Sequence, residues 1–358
     1  MPKFHQLKIT DIRKETEASV SIAFDVPNNL KTDYQFISGQ YLTLKAMING
    51  EDVRRSYSIC SAPHENELRV AIKKVEEGRF STFANEVLTE NDALDVMTPM
   101  GKFQAIPNPT NQKNYLGFVG GSGITPVISI IKTVLQNEPQ STFTLFYGNS
   151  TVKSIIFKEE IEGLKNKYLN RFILHHLLTQ EKLEAPIFNG RMDQEKCKLL
   201  FKHFVDPTKM DDIYICGPKP MIDGIIASLE AEKVDKKKIH FELFTSPLGN
   251  LAKEKKSTIS PFDAKKESMI TIKLDGDEFD FRLKYGGDSI LDAAMNTGAD
   301  LPFACKGGVC ATCKAKLLEG EVEMDVNYGL DPEEVEAGYI LTCQAHPRTA
   351  KIVVDFDG

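Results

Sequence analysis

Three cysteines fall within nine residues near the C-terminus, in the stretch Cys305-Lys-Gly-Gly-Val-Cys310-Ala-Thr-Cys313, and Cys343 follows 30 residues later. These four are the majority of the chain's seven cysteines, and a loop that brings them together can follow very few paths. Disulfides are the first reading to weaken. The count is odd, and the opening segment MPKFHQLKITDIRKETE has no apolar core of the kind that directs secretion. The expected compartment is the cytoplasm, where disulfides rarely persist. A structural zinc site usually takes two closely spaced cysteine pairs, and only one such knuckle is present. The C-x4-C-x2-C spacing with a distant fourth cysteine is the arrangement that ligates a [2Fe–2S] cluster, with zinc as the alternative. Gly307 and Gly308 let the backbone come close to the sulfurs because they carry no Cβ.

The surrounding sequence suits a small mixed domain. Ser289 and Asp292 form a capping pair ahead of an apolar helical face, Ile290, Leu291, Ala294 and Met295, and Gly298 supplies a stop. A helix packed on a small sheet just before the cysteine loop resembles a β-grasp ferredoxin over residues 268–358. His346 lies three residues after Cys343, but four thiolates already complete the set, so it is read as structural. From Glu267 onward there are 18 acidic and 8 basic residues, a balance of −10 against −7 for the whole chain, which leaves about +3 upstream. An acidic module of this kind argues against nucleic-acid binding. No apolar run approaches the ~18–20 residues of a membrane span, so no membrane partner is expected.

Upstream, the hydrophobic period changes twice. Residues 1–108 alternate as short strands with turn signals, which predicts an antiparallel β-barrel. Residues 109–244 alternate strand and helix, which predicts a parallel sheet covered on both faces. Residues 245–267, TSPLGNLAKEKKSTISPFDAKKE with the first threonine at 245, are polar and proline-containing and read as a linker. The fold class is therefore multidomain: a β-barrel, an α/β domain and an α+β β-grasp domain.

Several motifs carry chemistry. Arg55-Ser-Tyr57-Ser58 follows a strand and resembles the flavin motif of the ferredoxin–NADP reductase superfamily. The resemblance implies that Arg55 pairs with a pyrophosphate, Tyr57 packs along the flavin, and Ser58 reaches the isoalloxazine. Gly78-Arg79-Phe80-Ser81-Thr82 resembles the second motif of that superfamily, with Arg79, Phe80, Ser81 and Thr82 at a helix N-terminus that receives the FAD pyrophosphate, FMN being the alternative flavin. Thr98-Pro-Met-Gly-Lys-Phe103 fits the turn that closes its barrel. Gly120, Gly121 and Gly123 follow a strand, with Thr125 predicted to cap the next helix and Pro126 to open it. Proline where a dinucleotide fingerprint has its last glycine disfavours a conventional Rossmann dehydrogenase, and the pattern resembles the nicotinamide domain of the same superfamily.

In Cys216-Gly217-Pro218 the resemblance implies contact with the nicotinamide, with Cys216 beside the hydride-transfer position. Phe244 matches an aromatic that shields the flavin, with a plain core phenylalanine as the alternative. Ser150 stands where relatives that prefer NADPH often carry arginine. No acid stands there to hold a ribose hydroxyl, and Lys153 and Arg191 could neutralise a 2′-phosphate, so NADPH is expected and NADH is the alternative. His175 and His176 sit in one strand, so at most one is expected to face the core, and Cys60 and Cys197 read as structural.

The order of FAD, nicotinamide and [2Fe–2S] modules resembles the reductase components of multicomponent oxygenases. Cys305–Pro347, the segment from Tyr147 to Tyr168, and Asn189–Asp193 resemble the reductase subunits of ring 1,2-epoxidase complexes acting on phenylacetyl-CoA. The resemblance implies a di-iron oxygenase partner, with another oxygenase, a hydroxylase or a separate redox protein as the alternative acceptor. The length and basic composition of the linker, separately, suggest that the last module swings between the flavin and an outside acceptor.

Overall fold

The computed structural model describes residues 3–244 and 266–357. The chain divides into two compact units between residues 245 and 246, each with its own core. Nearly all of the expected linker lies outside the described residues; at its far end, a strand already begins at Glu267.

The first unit begins with β1 (Phe4–Thr16), β2 (Ser19–Asp25), β3 (Tyr41–Ile48), β4 (Glu51–Ser58) and β5 (Leu68–Lys73). Helix α1 (Arg79–Glu86) and β6 (Ala93–Met97) follow. Alternating side chains turn Leu7, Ile9, Ile22, Leu42, Leu44 and Val96 inward, all fully buried. The antiparallel order is β4-β3-β6-β1-β2-β5. A bridge between Ile59, just past β4, and Val70 on β5 joins the two ends of that order and closes the barrel. The predicted turn is in place: Gly101 has φ +116° and Met100 bridges to Tyr41.

The same unit continues with β7 (Asn114–Gly120), α2 (Ile124–Asn137), β8 (Thr142–Asn149), α3 (Lys158–Lys167) and β9 (Phe172–Leu178). It ends with α4 (Gln194–His203), β10 (Asp212–Gly217), α5 (Lys219–Ala231) and β11 (Ile239–Leu243). The strands are parallel in the order β11-β10-β7-β8-β9. Helix α2 is buried from Ile124 to Leu135 because it is covered on both sides. One core joins its Val127, Ile128 and Ile131 to Val119 and Leu145 of the sheet and to Cys60, Ala71, Phe103 and Ala105 from the barrel side. Barrel and α/β layer therefore fold as one body.

Two sequence expectations change here. Thr125 does not cap α2. The helix begins at Ile124, directly after a 3-10 turn over Gly121–Gly123, and the Thr125 hydroxyl donates to the Ser122 carbonyl at 3.1 Å. Pro126 is consequently the third helical residue, where a missing N–H is still harmless. His175 and His176 both pack, each against a different face of the sheet: His175 stacks on Phe146 and Phe188, while His176 lies against Tyr147. Burial lowers the pKa of both imidazoles.

The second unit comprises β12 (Glu267–Leu274), β13 (Asp277–Lys284), α6 (Ile290–Asn296), β14 (Lys314–Glu319) and β15 (Val322–Met324). Helix α7 (Pro332–Glu336), β16 (Tyr339–Leu341), β17 (Ala345–Pro347) and β18 (Lys351–Asp355) complete it. The main sheet runs β13-β12-β18-β14-β16, with β15 and β17 paired apart. Ser289 caps α6 by accepting from the Asp292 N–H at 3.2 Å, and Gly298 ends the turn at φ +95°. Among the described residues no helix is long and apolar enough to cross a membrane.

Replacing Ser289 by alanine strands an amide at the start of the helix that precedes the cysteine loop. The expected cost is about 1 kcal/mol for the second unit, read as a lower urea midpoint with unchanged slope.

Candidate functional site: a backbone junction at the strand ends and a four-cysteine loop

The glycines after β7 are dictated by a close backbone approach. A Cβ on Gly123 would stand 2.3 Å from the Cys216 carbonyl oxygen, and one on Gly120 would stand 2.9 Å from both Met221 and Pro218. The glycine loop after β7 and the Cys216-Gly217-Pro218 turn, far apart in sequence, are thereby pressed together at the C-terminal ends of β7 and β10. This is where open α/β sheets bind ligands. The next strand contributes a residue that the sequence reading missed. In the parallel register Cys216 lies beside Glu242 of β11, and Ser58 of β4 donates to the Glu242 carboxylate at 3.2 Å. Ser58, Cys216 and Glu242 thus converge from three strands. The only sequence signal for Glu242 is one acid in the otherwise apolar Phe241-Glu-Leu-Phe244 run.

Electrostatics fix the state of these groups. Partial burial pushes the Glu242 carboxyl up to about 8, against the pull of the Ser58 hydroxyl, which favours its protonated form at neutral pH. Cys216 is wholly buried, and burial with the nearby Glu242 raises its thiol well above the ordinary range. It acts by packing, not as a thiolate. Phe244 is half-buried against the shared core. Lys73 at the end of β5, also missed, brings its ammonium to 3.8 Å from where a Cβ on Gly121 would stand. It is a cation aimed at the nucleotide loop from the barrel side.

Along β4, Arg55 is exposed and donates to the Arg54 carbonyl at 2.7 Å. The half-buried Tyr57 ring packs on Phe80 with centroids 5.6 Å apart, and burial raises its hydroxyl pKa. At the start of α1 the side chains divide in purpose. Phe80 and Ser81 are buried; Ser81 accepts from the Val75 N–H and donates to the Gly78 carbonyl, so both serve the fold and only their amides can face a ligand. Arg79 is exposed and pairs with Glu51 at 2.6 Å, while Thr82 is half-buried. The N–H groups of this helix start, with Arg79 beside them, suit a pyrophosphate. The glycine loop and Lys73 suit a dinucleotide.

The four predicted ligands meet in the second unit. Cys305 and Cys310 are in thiol contact, as are Cys313 and Cys343. The Gly307 and Cys310 N–H groups donate to the Cys305 sulfur at 3.3 and 3.4 Å. The Cys310 thiol and these amides hold Cys305 below the usual thiol range, and the Cys313 thiol does the same for Cys343. Sulfurs gathered two and two suit a cluster with two irons. Gly308, at φ +71°, leaves no room for a Cβ against Val326, and the Gln344 amide clamps the loop through the Lys306 carbonyl at 3.0 Å. His346 bonds Asp325 at 3.1 Å.

Comparison with known proteins agrees module by module. A model of the oxidoreductase FAD-binding domain matches residues 6–105, the oxidoreductase NAD-binding domain 118–226, and the 2Fe-2S iron-sulfur cluster binding domain 272–348. The chain is 44% identical over 357 residues to a subunit of the 1,2-phenylacetyl-CoA epoxidase of Escherichia coli (strain K12), covering 100% of this chain and 99% of that one. It is 32% identical to the ferredoxin reductase component of 3-ketosteroid-9-alpha-monooxygenase from Rhodococcus rhodochrous, over 98% of this chain and 96% of that one. Among solved structures, phthalate dioxygenase reductase shares the fold with a TM-score of 0.59 at 22% identity, covering 99% of this chain and 98% of that one.

The raised Glu242 carboxyl has a consequence for stability. Its contribution is full below the unfolded value of 4.5 and is lost as pH rises through about 8. Glu242→Gln, isosteric with the protonated acid, is expected to flatten the fall in Tm across this window. A fall as steep as in the parent protein would show that Glu242 ionises freely. Gly123→Ala should abolish flavin reduction by either nicotinamide coenzyme, while dithionite still bleaches the flavin.

Proposed function

Because the chain belongs to the family of oxygenase reductase components that join FAD-binding, NAD-binding and 2Fe-2S domains, we propose that it takes electrons from NADPH and passes them to the di-iron subunit of a phenylacetyl-CoA epoxidase in the cytoplasm. The observation that carries the substrate is the 44% identity to the Escherichia coli epoxidase chain, which spans 100% of this chain. The chain's module limits are 1–108 for FAD, 109–244 for the coenzyme, 245–266 for a linker, and 267–358 for the cluster, whose first strand begins at Glu267.

When bound, the flavin and the cluster supply the redox chemistry, acceptance of a hydride at one end and release of single electrons at the other. The chain's residues bind and orient. Arg55 and Arg79 neutralise the FAD pyrophosphate beside the α1 amides, and Arg79 exchanges only an exposed ion pair with Glu51 to do so. Tyr57 lies along the flavin, and Phe244 covers its face. Ser58 hydrogen-bonds the ring system, with protonated Glu242 behind it as a proton reserve. Gly120, Gly121, Gly123, Thr125, Pro126, Gly217 and Pro218 shape the coenzyme site, Lys73 meets its phosphates, and Cys216 packs against the nicotinamide. Lys153 and Arg191, both exposed, favour a 2′-phosphate and hence NADPH over NADH. Cys305, Cys310, Cys313 and Cys343 would hold the two irons of the cluster.

An anaerobic titration tests the reading. The purified protein should be red-brown, and NADPH should bleach flavin and cluster at a higher kcat/KM than NADH. A colourless, zinc-bearing protein would overturn it, and a preference for NADH would overturn the coenzyme choice. Cys310→Ser should lose the cluster absorbance and all electron delivery to the epoxidase oxygenase subunits but keep NADPH-driven flavin bleaching. Delivery to other oxygenases but not to this one would reassign the partner.

A further inference from the structure

The segment that follows the flavin strand is gripped by the helix that follows the nucleotide loop. Past Ser58, the Ile59 N–H donates to the Gln40 carbonyl at 2.8 Å. The next two carbonyls point the other way, into α2. The Lys132 ammonium reaches the Cys60 carbonyl at 3.3 Å, and the Ser129 hydroxyl donates to the Ser61 carbonyl at 2.6 Å. Ser129 and Lys132 are one turn apart on the same face. Ser129 is 0% exposed and Lys132 only 8% exposed. The ammonium is neutralised from both sides, by Glu65 of the barrel at 3.2 Å and by Glu160 of α3. Glu65 in turn accepts from the Ala62 N–H at 2.7 Å, so the anion itself is anchored to the same segment. Beside them Gly39, at φ +97°, lets the barrel loop touch α2: a Cβ there would lie 1.9 Å from the Phe103 carbonyl oxygen and 3.1 Å from Ile130.

A buried lysine is costly unless it is fully paired, and apolar residues would have glued the two layers more cheaply. What directional polar bonds add is register. Apolar side chains hold two surfaces together over a range of small slides, whereas two hydrogen bonds to consecutive carbonyls admit one position. The segment so fixed begins two residues after Ser58, and the helix that fixes it begins one residue after Gly123. We infer that Ser129 and Lys132 are positioning residues for hydride transfer, which set the distance between the flavin strand and the nucleotide loop by clamping the Cys60 and Ser61 carbonyls to α2. The inference rests on the reading of Ser58 and the Gly120–Gly123 loop as the two sides of the transfer site.

The test uses the full-length, FAD-loaded protein. Lys132→Met is expected to slow NADPH-driven flavin bleaching in stopped flow by about tenfold to a hundredfold, the scale of an ångström-sized misplacement. Its Kd for NADP+ should stay within about threefold, because phosphate contacts are untouched, and Lys132→Arg should restore most of the rate because it keeps the charge and the donors. Amide exchange should quicken over residues 59–65 and 129–133. A Lys132→Met protein that bleaches at the parent rate, or whose Kd weakens as much as its rate falls, would overturn the inference, as would an Arg variant no faster than the Met one. Should Lys132→Met lose FAD, Ser129→Ala decides, with a fall of about threefold or more in rate expected and an unchanged rate against. If the parent protein is bleached by neither coenzyme, the functional reading itself fails, and the exchange pattern still decides whether the clamp exists.

Discussion

The contact of Gly123 with the Cys216 carbonyl is the constraint on which the rest of the coenzyme end depends. At that separation no side chain fits, so the turn after β7 and the end of β10 meet backbone to backbone. Once they meet, the parallel register carries Glu242 alongside Cys216, and Glu242 reaches Ser58 on the barrel. One steric fact thus aligns three strands from two layers. A Cβ at that position would force the turn and the strand end apart, and the three groups would separate together.

The cysteine loop is built on a different economy. Its backbone turns inward, with Lys306 and Ala311 in the left-handed region at φ 50° and 53°. Such positions are uncommon for residues with side chains and persist only where surrounding contacts over-determine them. Here those contacts are the N–H groups aimed at Cys305, the Gln344 clamp, and the double bond of Thr342, through its N–H and hydroxyl, to the Cys313 carbonyl. The donors that neutralise thiolate charge are the same ones that hold the loop's shape, so preorganisation for the metal and stability of the fold are one property.

Local chemistry is legible in the chain itself. The cysteine spacing, the Ser289 cap, the glycine loop and the change of hydrophobic period each depend on neighbours within a few residues. Thr125 misleads for a local reason: the 3-10 turn over Gly121–Gly123 runs straight into α2, so the helix starts before the residue that looks like its cap. The two histidines mislead because one-sided burial is the ordinary expectation for an edge strand, and here both faces of the strand are covered. Glu242, Lys73 and Lys132 are not legible at all. Each gains its meaning from a partner about fifty to nearly two hundred positions away, and nothing in an isolated Phe-Glu-Leu-Phe or Ile-Ile-Lys-Thr tells an acid or a lysine that it will meet a distant strand.

The two units follow from what each must hold still. Hydride transfer needs its reacting atoms about 3–3.5 Å apart and aligned. A barrel and an α/β layer that merely touched could not maintain that, and here they share one core running from Cys60 through α2 to Tyr147. The cluster makes no such demand on the flavin side. Its rigidity is local, supplied by a loop packed on α6 and by a core, from Ile270 to Phe356, that contains none of the first unit's residues. Contact chemistry requires a common interior. A metal cage requires only its own.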